Sequence, residues 1–63
     1  MDDDKFNMSM RKFLKQVGVT SQQQIEAAVR ASGKSSGTVA VKVVVSGPDI
    51  GLDHVVEGEI DLG

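Results

Sequence analysis

The apolar residues of this chain change their period once, and the change divides it into two kinds of structure. Phe6, Met10, Phe13, Leu14 and Val17 fall at i, i+4, i+7, i+8 and i+11, one stripe of a helix with 3.6 residues per turn. From Thr38 the period is two, with Val39, Val41, Val43 and Val45 alternating with Ala40, Lys42 and Val44, as on the two faces of a strand. Gly33-Lys34-Ser35-Ser36-Gly37, small and polar, separates the two patterns as a loop.

Within the first part the sequence predicts two helices, over about residues 4–17 and 21–32. Aspartates at the start suit the positive end of a helix dipole, and Asp4 or Asn7 can serve as N-cap. Gly18 is a natural left-handed terminator, and Thr20 with Gln23, or Ser21 with Gln24, reads as a capping box opening a second helix. Ile25, Ala28, Val29 and Ser32 form its weaker stripe, closed by Gly33. So few large apolar residues require docking on a neighbour.

In the second part, strands are predicted over about 38–46 and 54–62, after a linker at 33–37. Ser46-Gly47-Pro48-Asp49-Ile50-Gly51 supplies the turn chemistry, with Pro48 presetting φ. Pairing Val43 with Val56 places Val41 opposite Gly58, Val39 opposite Ile60 and Lys42 opposite Glu57. Apolar partners then share one face and opposite charges the other, whereas a two-residue slip puts Lys42 against Glu59. Gly58 leaves a gap in the apolar face. The predicted fold is a single α+β domain of two short-linked helices and an antiparallel hairpin in two layers, with Phe13 and Leu14 in the core between helix and hairpin.

With 63 residues and no cysteine, the chain has room for one thin core and no disulfide to support it. Thiolate metal knuckles and cystine scaffolds are excluded. The acidic start lacks the positive charge of a secretory signal, and no apolar run approaches the roughly 20 residues of a membrane span, so a cytoplasmic location is expected. Charge is unevenly distributed. Residues 5–37 carry six Lys or Arg against one Glu, whereas 38–63 carry one Lys against five acids. Such a split suits an anion-binding face, or halves that attract one another within or between chains.

Two motifs invite a chemical reading and do not sustain it. Gly33-Lys34-Ser35 looks like the end of a phosphate-binding loop, but Ala28 stands where the leading glycine belongs, and the segment runs from helix to strand rather than strand to helix. His54, the sole histidine, shares its parity with Val56, Ile60 and Leu62, while Asp53, Glu57, Glu59 and Asp61 take the other face. Imidazole and carboxylates therefore diverge, and no metal, cofactor or catalytic residue is expected.

Two helices and a hairpin also suggest a winged helix-turn-helix, with Gln22, Gln23 and Gln24 opening the second helix, where a recognition helix reads bases. Arg11, Lys12, Lys15, Gln22, Gln23 and Arg30 are its candidate nucleic-acid contacts. Leu14 and Gln24 stand where that motif has a small residue and an aliphatic one, and the wing is acidic.

The run Phe6-Asn7-Met8-Ser9-Met10-Arg11-Lys12-Phe13-Leu14-Lys15-Gln16-Val17-Gly18-Val19-Thr20-Ser21-Gln22, with the closing Gly51-Leu52-Asp53-His54-Val55-Val56-Glu57-Gly58-Glu59-Ile60, resembles a family of small uncharacterised bacterial proteins known as a domain of unknown function. The resemblance spans nearly the whole chain and implies a stand-alone bacterial protein, with no activity to carry over. Asp2-Asp3-Asp4-Lys5 is also similar to part of a protease-cleavage tag. The functional expectation is a non-enzymatic binding module whose partner is a protein or a second copy of itself. The candidate self-association edge is Val39, Val41, Lys42, Val43 and Val45. Nucleic-acid binding is the alternative.

Overall fold

A computed structural model describes all residues from Met1 to Gly63 as one helix followed by one β-hairpin, an α+β arrangement. It divides into two compact units, Met1–Gly33 and Lys34–Gly63.

The first unit is a single helix, α1, Asp3–Ser32. Its 30 residues extend about 45 Å at 1.5 Å per residue. Asp2, rather than Asp4 or Asn7, is the N-cap: its carboxylate accepts from the Lys5 N–H at 3.1 Å, and its carbonyl accepts the first helical bond from Phe6 N–H at 3.0 Å. Asp3 and Asp4 occupy the first turn and Arg30 the last, each matched to its end of the dipole. Gly33, at φ 75°, closes the helix in the left-handed conformation.

The two expected helices are therefore one, and the correction centres on Gly18. Its φ is not positive, and it lies inside the helix. Thr20 does not open a capping box either; its hydroxyl donates back to the Gln16 carbonyl at 2.8 Å, a bond made inside a continuing helix. Stopping at Gly18 would leave four carbonyls and then four N–H groups without helical partners. Carrying a glycine through the helix costs only about 1 kcal/mol relative to alanine. The stripes before and after Gly18 are also in phase, because Val17, Ser21, Ile25 and Val29 continue at steps of four. One uninterrupted helix thus gathers the apolar positions of both stripes on one face, with Met8 and Val19 on the other.

The second unit is an antiparallel pair, β1 (Thr38–Gly47) and β2 (Leu52–Asp61), joined by a 3-10 turn at Pro48–Ile50. The register is the one expected: Val39 faces Ile60, Val41 faces Gly58, Lys42 faces Glu57 and Val43 faces Val56. The turn holds this register. Pro48 starts it, Gly51 at φ 63° leaves it in the left-handed region, and Gly51 N–H reaches the Pro48 carbonyl at 3.4 Å. Gly47 pairs with Leu52, so β2 begins two residues earlier than the sequence suggested. At the open end, Gly37 N–H donates to Gly63 O at 3.1 Å, and Leu62 N–H donates to Gly37 O at 2.8 Å.

No residue in either unit is buried. Phe13 and Leu14, expected in the core, remain 53% and 52% exposed. A single helix and a two-stranded sheet each have one apolar face and no second layer of their own.

Candidate interaction surfaces

Because α1 does not break, its apolar face is longer than either predicted stripe. Phe6, Met10, Phe13, Leu14 and Val17 lead into Ser21, Ile25, Ala28 and Val29. Val17, Ser21, Ile25 and Val29 form a half-buried row along it, and the larger residues before them are exposed. Sequence periodicity found these side chains, but the continuity of their face follows only from the unbroken helix.

The six candidate nucleic-acid contacts, all exposed, fall on the polar side of α1. Arg11, Lys15 and Gln22, spaced i, i+4 and i+11, make one row, and Lys12, Gln23 and Arg30, at i, i+11 and i+18, make another. The Gln22 amide donates to a Glu26 carboxylate oxygen at 3.4 Å, so one member of the first row is engaged within the helix. The glutamines expected at the N-terminus of a recognition helix lie mid-helix, where no free N–H groups are presented.

In the hairpin, alternation sorts the side chains by face. One face carries Val39, Val41, Val43 and Val45 opposite Ile60, Gly58, Val56 and His54. On the other, Ala40, Lys42, Val44 and Ser46 lie opposite Glu59, Glu57, Val55 and Asp53. His54 thus stands beside Val45 among aliphatic neighbours, across the sheet from the carboxylates. An open hollow is bordered by Ala40, Val41, Lys42, Glu57, Gly58 and Glu59, and a Cβ at Gly58 would meet no atom within 4 Å. No three His, Asp or Glu side chains come together in a way that could hold a metal ion. Sequence reasoning missed two exposed apolar features: the Val44–Val55 cross-strand pair on the charged face, and Ile50 at the turn, 78% exposed.

The sheet has two strands and therefore two free edges, which differ in charge. Along β2, Asp53, Glu57, Glu59 and Asp61 all project to one face. Pairing β2 with its own copy would bring two such rows together, an arrangement that like charge opposes. Along β1 the single charge is Lys42. The candidate edge Val39, Val41, Lys42, Val43 and Val45 is thus the less protected of the two.

A family model described as "Family of unknown function (DUF6494)" matches residues 1–63. The chain belongs to this family. The match takes in the acidic start from Asp2 to Lys5 as well as the helix and hairpin. No curated protein and no solved structure matches the chain. No helix is long and apolar enough to cross a membrane.

Proposed function

We propose that this DUF6494 chain is a small non-enzymatic binding module that acts through protein–protein contacts, first of all with a second copy of itself. The observation that carries this reading is the absence of any buried residue in units that each display an apolar face. An isolated helix draws little stability from propensity alone, and an isolated two-stranded hairpin is marginal in water. Layering an apolar face against a partner supplies what each unit lacks. The charge distribution supports a second copy as that partner, since the basic residues of α1 and the acidic strand β2 occur on the same chain. Sedimentation equilibrium over a wide concentration range tests the reading. The expected result is a dimer or larger assembly that dissociates on dilution, and a single species at 6.7 kDa throughout would oppose it.

Nucleic-acid binding stays as the second reading because of the two polar rows on α1, although a continuous helix offers no helix-turn-helix to present them. Titrating duplex and single-stranded DNA and RNA at two salt concentrations tests it. Phosphate contacts give binding that falls steeply with salt, and equal weakness at both concentrations removes this reading.

A further inference from the structure

We propose that two copies pair through α1, antiparallel, about a two-fold axis beside Val17; this rests on the self-association reading and specifies its interface. The apolar face of α1 changes in size along its length. Its first half carries Phe6, Met10, Phe13 and Leu14, whereas the corresponding track of its second half carries Ser21, Gln24, Ala28 and Ser32, with Ile25 and Val29 at one margin. Setting two such helices head to tail about Val17 brings Phe6 level with Ala28, Met10 level with Gln24 and Phe13 level with Ser21. Phe6 and Phe13 then meet the small Ala28 and Ser21, an arrangement that fills space between packed helices, while Met10 lies beside the longer Gln24. A parallel pair would crowd Phe against Phe at one end and leave serine and alanine facing each other at the opposite end.

Charge selects the same direction. Asp2, Asp3 and Asp4 stand at the start of α1 and Arg30 in its last turn. In the antiparallel pair the acidic first turns are held at opposite ends, and the positive end of each helix dipole lies beside the negative end of its partner. In a parallel pair three aspartates would meet three aspartates, a juxtaposition that penalises association.

The area is of the right order. Phe6, Met10, Phe13 and Leu14 keep between 42% and 53% of their surface exposed, on the order of 100 Å² each for side chains of this size. Two copies supply roughly 800 Å² from these residues alone, against about 1,200 Å² at the lower end of stable interfaces. Val17, Ser21, Ile25, Ala28 and Val29 add to that total.

The chain has no cysteine, so single introduced thiols report geometry without interference. Wild-type protein is first sedimented to establish its mass. Val17→Cys, Asp3→Cys and Ala31→Cys are then treated with a short bis-maleimide, singly and as an Asp3→Cys/Ala31→Cys mixture. The expected result is cross-linking of Val17→Cys with itself, none for Asp3→Cys alone, and mixed dimers from the Asp3→Cys/Ala31→Cys pair. That pair keeps the test decisive if Val17→Cys weakens packing. Efficient self-linking of Asp3→Cys would mean a parallel pair and overturn the proposal. A wild-type dimer with no α1 cross-link would also overturn it, placing the interface elsewhere, such as the β1 edge, while self-association stands. A wild-type mass of one chain, with the apolar face covered from within, would overturn both.

Discussion

Helix and hairpin meet the same shortage of interior by different means. In α1 every backbone bond closes within one turn, so the helix can be lost or gained in pieces from its ends. In the hairpin the bonds join Gly47 with Leu52 near the turn and Gly37 with Gly63 at the open end, and the outer pairs depend on the inner ones. The helix is thus limited by what covers its face, and the hairpin by the turn that sets its register. Both are amphipathic, but α1 holds the four largest exposed side chains of the amphipathic faces, and the hairpin contributes smaller β-branched ones. On the proposed reading, association falls chiefly to the helix, while the turn sets the register of strand pairing.

The sharpest break in that comparison is Phe13→Ala. With Phe13 packed against a second copy, its truncation should cost about 3–5 kcal/mol per chain. Sedimentation should shift to the single-chain mass, with helicity falling at the same concentration. An unchanged dimer would place Phe13 outside the interface.

Gly51→Ala probes the hairpin alone. At φ 63° an alanine meets the left-handed penalty, about 1–2 kcal/mol. Amide exchange should quicken from Thr38 to Asp61 while α1 amides keep their protection. Faster exchange in α1 would carry the effect beyond the turn and blur the division of roles.

Gly18→Ala has the smallest effect, and its sign is opposite. Gly18 sits mid-helix with open space where a Cβ would go, so alanine should stabilise α1 by about 1 kcal/mol. Circular dichroism at 222 nm should show higher helicity. A loss of helicity would point to a role for Gly18 that needs the bare backbone.

The hairpin was legible in the sequence because several independent signals agree on it. Period-two alternation and the turn chemistry at Pro48 define the hairpin, and Lys42 with Glu57 favours the observed register. A slip of two residues keeps the alternation and gives Lys42 a partner in Glu59, so the register itself was legible only as a preference, and the turn from Pro48 to Gly51 decides it. The helix was misread at one point, where local signals favoured a break and the wider pattern did not. Gly18 and Thr20 each have a terminating use, yet both also occur inside helices at modest cost. The phase of Ile25 with Val17 was the available signal, and it lies across the supposed break. The six polar candidates on α1 were legible only as residue types. Their division into two rows appears once Gly18 is helical, and Asp2 emerged as N-cap because its carboxylate reaches Lys5 N–H.

The most direct test of the central claim follows helicity and mass on the same diluted samples. The account holds that α1 is stabilised by a second copy, so ellipticity at 222 nm should fall with dilution, with its midpoint at the concentration where sedimentation shows the dimer giving way to the 6.7 kDa chain. Undiminished helicity in a sample that contains only the single chain would contradict it.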